Sequence, residues 1–323
     1  MVQPLSLFHK KVTDVIWLEE EVDHSSIMIK VPTLVSPGWV SEQILSKMKN
    51  LCILDASWHL PIFKRDQQEE YLQEHIPGAQ FFDIEKCARP SEDTQKLSHT
   101  LPTADFFAEY VGNLGIDNES HVVVYENNAK FGAFSAPRAW WMFRIFGHAK
   151  ISIMEGGLPL WIKEGRKTTD KIPLTERSVF QASFNADLFK TFGDVERNLE
   201  ERKFQVMDAR PEGRFQGIQP EPRQGVESGH MPNSFNVPFP KMMEEKDGTL
   251  KFKSPDQLQK TFEAAGLDMS KPITASCGSG VSACILALGA HLAGMEGVAV
   301  FDGAWEEYYL KMKEINPENI VKG

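Results

Sequence analysis

The chain reads the same way twice. Its first half runs CILDASW (52–58), HIPGAQFFDI (75–84), HVVVYENN (121–128), APRAWWMFRIFGH (136–148) and ISIMEGGLPLWIKEG (151–165). Its second half runs FQVMDARPEGRF (204–215), HMPNSFNVPF (230–239), PITASCGSG (272–280), ACILALGAHLAG (283–294) and VAVFDGAWEEYYL (298–310). The order is shared: a short apolar strand ending in Asp-Ala, a His-(Ile/Met)-Pro turn with a second short strand, a third strand leading through a loop to an apolar helix, and a fourth strand ending in Gly-Gly or Asp-Gly with a tryptophan following. Self-similarity on this scale marks a duplicated structural unit. One fold therefore has to serve both halves.

That fold is α/β. ILDA, VVVY, ISIM, VMDA and VAVF are short, apolar and rich in β-branched residues, as strands covered on both faces must be. Strands alternating with helical segments imply a mostly parallel sheet with helices on both faces in each half. The segment KEGRKTTDKIPLTERSVFQASF (163–184) is charged and lacks a helical period, so it reads as the join. The expected organisation is an N-terminal extension over 1–32, a first unit over 33–165, a linker over 166–183 and a second unit over 184–323. A chain of 323 residues suits two domains.

Composition narrows the function classes. A formal net charge of −10 leaves no general basic face for nucleic acid or an anionic membrane, although a local basic pocket can still hold a small anion. No stretch of 18 consecutive apolar residues is present, so no transmembrane helix is expected. The four cysteines (Cys52, Cys87, Cys277, Cys284) form no CxxC pair and no zinc-ligand spacing, and they are too few for a disulfide scaffold. No metal or cofactor is expected, and a reducing compartment fits best. The cytoplasm is the expected location. A mitochondrial address is the alternative, because MVQPLSLFHKKV lacks acids and carries two lysines but no arginine.

The chemistry concentrates at KPITASCGSGVSACILALGAHLAG (271–294). Cys277 ends a strand, Gly278 and Gly280 let backbone N–H groups turn toward one point, and a helix begins just beyond. Ligand sites of parallel α/β sheets lie at the carboxyl ends of strands, and a helix N-terminus favours an anion there. Such a cradle favours a thiolate. Cys284, inside the apolar helix, reads instead as a core cysteine. A phosphatase of the Cys-x5-Arg kind needs an arginine six positions after the cysteine, and Ala283 stands there. In the first half the matching position is Glu126, which cannot act as a sulfur nucleophile, so that copy is expected to be inert and structural.

CGSGVSA (277–283), MDARPEGRFQGIQPEPR (207–223) and the duplicated layout together resemble the rhodanese-type sulfurtransferases, over about residues 33 to 318. The resemblance implies two tandem rhodanese-like domains, only the second catalytic. It also implies transfer of sulfur from 3-mercaptopyruvate to a thiol acceptor such as thioredoxin, through a Cys277 persulfide, with release of pyruvate and a route to hydrogen sulfide. The thiosulfate-preferring branch carries a basic Cys-Arg-Lys-Gly loop that this chain lacks. A thiosulfate sulfurtransferase and a silent rhodanese pair that only binds sulfide are the alternatives.

By the same resemblance Arg214 and Arg223 hold the substrate, with Gly278, Gly280 and Val281 forming the cysteine loop around it. Arginine suits a 2-oxo acid because its planar fork matches a carboxylate. Arg210 is a weaker candidate for the same task. Cleaving the C–S bond leaves an enolate that needs a proton. The family's relay maps to Ser279, to His99 in KLSHTLP, and to Glu85 in FFDIEKC, where the family has an aspartate. His75 and His230, Asp55 and Asp208 recur in both halves and read as structural, and Trp140, Trp141, Trp161 and Trp305 as core.

Overall fold

In the computed structural model of the protein, residues 31–88 and 97–323 are described. The expected N-terminal extension lies outside them save for its last two residues. The first half contributes β1 (Leu34–Val35), α1 (Pro37–Leu45), β2 (Leu51–Asp55), α2 (Gln67–Gln73), β3 (Ala79–Phe81), α3 (Ala104–Asn113), β4 (His121–Tyr125), α4 (Ala136–Ile145), β5 (Ile151–Met154) and α5 (Gly157–Lys163). The second contributes β6 (Phe189–Lys190), α6 (Phe192–Glu201), β7 (Gln205–Asp208), α7 (Glu212–Phe215), β8 (Ser234–Asn236), β9 (Met243–Lys246), β10 (Thr249–Phe252), α8 (Pro255–Ala264), β11 (Ile273–Ser276), α9 (Ala283–Leu292), β12 (Ala299–Phe301) and α10 (Ala304–Ile315).

Each half builds a five-stranded parallel sheet, in the orders β1-β5-β4-β2-β3 and β6-β12-β11-β7-β8. The two orders are the same topology, as the sequence repeat requires. The central strands β4 and β11 are buried along their whole length, which explains their unbroken runs of apolar and small residues. Local signals start the helices: Ser36 caps α1 with proline next, while Thr191 with Asp194 and Ser254 with Gln257 form capping boxes at α6 and α8.

The outer face of each sheet has its own core, Val40, Tyr125 and Trp161 in the first half and Val195, Trp305 and Tyr308 in the second. The inner faces share one core, in which α4 packs on α9. The halves are thus fused through their helices rather than merely tethered. His75 and His230 occupy matching places. Each pairs its backbone with a distant segment, at Thr169 and Val321, and stacks on a ring, Tyr71 at 4.2 Å and Phe215 at 4.0 Å between centroids. The four tryptophans read as core are buried.

Two features differ from the sequence reading. The edge strands β1 and β6 have two residues each, too short to carry a periodic signal. The β9–β10 hairpin was concealed by its polar flanks MEEK and TLKF, although its Asp247-Gly248 turn, with both φ values positive, carries a hairpin signature. The hairpin and its approach lie over the first half, with Phe239 against Phe131 and Phe134 at 5.2 and 5.4 Å. The described part of the equivalent connection of the first half, between β3 and α3, leans the other way, with Ser98 bonded to Glu306 and Leu101 to Asp302 of the second.

Candidate active site

Equivalent backbone bonds fix the correspondence between the two strand-end loops. Trp305 N–H donates to the Cys277 carbonyl at 2.9 Å, and Leu158 N–H donates to the Glu126 carbonyl at 3.0 Å. Cys277 and Glu126 therefore hold the same place in the two halves. In the first, the Glu126 carboxylate accepts the backbone N–H groups of Phe134, Ser135 and Ala136 at 2.6, 3.0 and 3.3 Å, and it is buried. The first half has filled this cradle with its own side chain. Burial pushes the Glu126 pKa up, and these hydrogen bonds work against that.

In the second half the cradle holds sulfur. Cys277 is 2 % exposed, and the Gly280 N–H donates to its Sγ at 3.1 Å. Gly280 has φ +83°, and a Cβ there would lie 2.6 Å from the Asp302 carbonyl oxygen, so the tight return of this loop demands glycine. Ser279 is 6 % exposed and Val281 3 %, and they close the loop between the cysteine and α9. Cys284 is fully buried, gives its thiol to the Gly280 carbonyl at 3.3 Å and has its pKa pushed up to about 12, chiefly by burial. It stays a thiol, as the sequence reading expects.

The first half supplies one wall. Arg138, buried in α4, pairs with Asp302 at 2.8 Å and donates to the carbonyl oxygens of Gly280 at 3.4 Å and His99 at 2.5 Å. Burial opposes its charge, and Asp302 together with Cys284 more than offsets this, so the Arg138 pKa is raised. Leu101 N–H donates to Asp302 at 2.7 Å, and Ser98 Oγ donates to Glu306 at 3.0 Å. The segment carrying His99 is in this way bonded on both sides to the second half.

His99 adopts φ +60°, its ring lies edge-on to Trp58 at 4.8 Å, and its Nε2 is 3.6 Å from Glu85 Oε1. Contact with His99, and with Trp58, holds Glu85 below the usual carboxylate range despite its burial penalty. The carboxylate and imidazole of the expected relay are therefore neighbours. His99 Nδ1 is buried and has no partner, and no hydrogen bond joins His99 to Ser279 among the described residues.

The arginine loop flanks the other side. Ala209 N–H donates to the Ser276 carbonyl at 2.9 Å, bringing the start of this loop beside the cysteine strand. Arg223 Nε pairs with Glu306 Oε2 at 2.9 Å, and a Cβ built on Gly278 would lie 3.0 Å from Arg223 Nη1. Arg214, in α7, is half-buried and forms no ion pair among the described residues. Arg210 is not available to a substrate: it is 2 % exposed, bonded to Asp208 at 2.6 Å, Glu221 at 2.9 Å and the Gly229 carbonyl at 2.7 Å, and stacked over Trp305. That removes it as a substrate arginine and gives Asp208 the structural role read for it.

Ser98, Arg138, Asp302 and Glu306 were not singled out by the sequence. Arg138 had a signal, a charge set among the bulky apolar residues of APRAWWMFRI well before the last turn, where Arg144 stands. The others act through contacts between positions some 200 residues apart. Among the described residues no cluster of His, Cys, Asp or Glu could hold a metal.

The model of the rhodanese-like domain matches the chain twice, over residues 37–164 and 191–311. The 3-mercaptopyruvate sulfurtransferase of Rattus norvegicus is 43 % identical over 290 residues, covering 89 % of this chain and 94 % of the relative. The thiosulfate sulfurtransferase of Bos taurus is 44 % identical over 279 residues, covering 85 % and 91 %. The crystal structure of SseA from Escherichia coli, described as a 3-mercaptopyruvate sulfotransferase, superposes with a TM-score of 0.74 at 35 % identity, covering 85 % of this chain and 99 % of that one. Overall identity does not separate the two kinds of relative.

Proposed function

The chain belongs to the rhodanese-like sulfurtransferase family, and from that premise we propose that its second half takes sulfur from 3-mercaptopyruvate onto Cys277 and hands it to a thiol. The observation that carries the donor choice is the loop itself. The cysteine is followed by Gly278 and Ser279, with no side-chain cation of its own, and its sulfur is held by a backbone N–H at the head of a helix.

The Cys277 thiolate attacks the donor's sulfur. A sulfur–sulfur bond forms, the carbon–sulfur bond breaks, and its electron pair stays on carbon as the enolate of pyruvate. The enolate gains a proton to give pyruvate. An acceptor thiol then takes the outer sulfur and restores the thiolate. Both the thiolate and the persulfide are anionic, so one backbone cradle serves both steps. Arg214 and Arg223 orient the carboxylate and keto oxygen. The Glu85–His99 pair, with Ser279 on the cysteine loop, supplies the proton, and a His99→Asn change lowers kcat for mercaptopyruvate more than it raises KM. A dithiol protein of the thioredoxin kind is the acceptor class that fits, in a reducing compartment such as the cytoplasm.

Thiosulfate is a dianion and leaves as an anion, so it needs fixed positive charge beside the sulfur. The test is steady-state turnover of both donors by purified protein. Higher kcat/KM for mercaptopyruvate supports the reading, and higher kcat/KM for thiosulfate overturns it.

A further inference from the structure

Resting on that donor reading, we propose that Glu306 is a positioning and specificity-determining residue: it fixes Arg223 beside the cysteine loop and cancels its charge there, so that the site takes donors with a single carboxylate and turns away dianions. Nothing in the reaction itself requires an acid at this place.

The geometry ties Glu306 to three parts of the site. It lies in the first turn of α10, and its backbone N–H donates to the Gly278 carbonyl at 3.1 Å, which fastens it to the cysteine loop. Its Oε2 accepts from Arg223 Nε at 2.9 Å and from Ser98 Oγ of the first half at 3.0 Å. The side chains of Arg223 and Glu306 are 24 % and 10 % exposed, so the pair is only partly screened by water. The Nε edge of the guanidinium is therefore spoken for, while Nη1 lies against the bare backbone of Gly278, 3.0 Å from where a Cβ would stand.

Two arginines then offer different things. Arg214 forms no ion pair among the described residues, and in the donor reading it supplies the substrate's compensating charge. Arg223 brings directed N–H donors whose charge is already matched by Glu306. A monoanionic 2-oxo acid needs one compensating charge and one oriented donor for its keto oxygen, and it finds both. A dianion beside a thiolate needs a second charge and meets the Glu306 carboxylate instead. A unit charge a few ångström away in a half-solvated cleft changes binding by roughly threefold to tenfold.

The experiment compares kcat/KM for thiosulfate and for 3-mercaptopyruvate in the full chain and in Glu306→Gln, Glu306→Asp and Glu306→Ala. Glutamine keeps a hydrogen bond to Arg223 and removes the charge. It raises the thiosulfate-to-mercaptopyruvate ratio about threefold to tenfold, more at low ionic strength than at high. Aspartate retains the unmodified ratio. Alanine shifts the ratio the same way and also raises KM for mercaptopyruvate, because Arg223 loses its fixed edge. A ratio unmoved in both Glu306→Gln and Glu306→Ala, or both specificity constants falling in proportion, overturns the proposal and leaves Glu306 a packing residue. If the unmodified protein prefers thiosulfate, the donor reading fails and this proposal fails with it. If it prefers mercaptopyruvate and the ratio does not move, only the role of Glu306 is lost.

Discussion

Arg138 of the first half and Asp302 of the second form an ion pair of 2.8 Å at the seam of the molecule, with both side chains nearly excluded from water. The same guanidinium holds the Gly280 carbonyl of the cysteine loop and the His99 carbonyl. The first half thereby helps set the shape of the loop that carries Cys277 in the second.

Removing one partner of a buried pair leaves the other uncompensated, at a cost of about 3–5 kcal/mol. Arg138→Met is therefore expected to lower the urea unfolding midpoint strongly. It also lowers kcat at temperatures where the protein is still folded, because the Gly280 carbonyl loses a donor. An unchanged midpoint would show that the pair does not join the halves.

In the first half the pseudo-site should matter for stability and not for turnover. Glu126→Ala strands the N–H groups of Phe134, Ser135 and Ala136, and each orphaned donor costs on the order of 1–3 kcal/mol, less what entering water recovers. The expected result is a lower melting temperature with kcat and KM within about twofold of the unmodified protein at 25 °C, a margin of roughly 0.4 kcal/mol. Loss of activity in the folded variant would show that Glu126 takes part in catalysis.

Two buried groups titrate in opposite senses. Burial pushes His148 down to about 4 from 6.5, and burial pushes Asp55 up to about 6 from 3.8. Below about pH 6.5 the unfolded chain protonates His148 and the folded one does not, so stability falls as pH falls toward 4. Below about pH 6 the folded chain keeps a proton on Asp55 that the unfolded chain releases, so stability rises over nearly the same window. The two trends largely cancel. His148→Asn removes the first, so relative to the unmodified protein it gains on the order of 2 kcal/mol between pH 7.5 and pH 5, measured by urea denaturation at both. A difference that does not change with pH would contradict the assignment.

What the sequence disclosed and what it withheld follow from how local each feature is. Cys277, its two glycines and the helix after them lie within a few residues, so the cradle was legible, and the repeat made both sheets legible together. Glu126 was legible as the counterpart of Cys277, but its three backbone donors come from eight to ten residues on, around a longer loop. The bonds that close the site, Arg138 to Gly280 across 142 positions and Ser98 to Glu306 across 208, leave no periodic trace. Arg210 shows the converse. A loop arginine near a strand end looks free until Asp208 and Glu221 are seen to hold it.

The substrate role proposed for Arg214 and Arg223 can be tested through KM. Losing a charge-assisted hydrogen bond costs roughly 1.5–3 kcal/mol, so Arg214→Gly and Arg223→Gly should each raise KM for mercaptopyruvate about tenfold or more. Gly278→Arg with Ser279→Lys should do the same by crowding Arg223, while raising thiosulfate turnover. An unchanged KM in either single variant would remove that arginine from the site.

The central claim is that Cys277 alone carries the sulfur. The most direct measurement is the intact mass of the protein after brief exposure to 3-mercaptopyruvate without an acceptor, with pyruvate assayed in parallel and the modified residue located by peptide mapping. The account predicts a gain of one sulfur at Cys277, matched by one pyruvate per chain, retained in Cys284→Ser and absent in Cys277→Ser. Sulfur found on another cysteine, or pyruvate still released by Cys277→Ser, would contradict it.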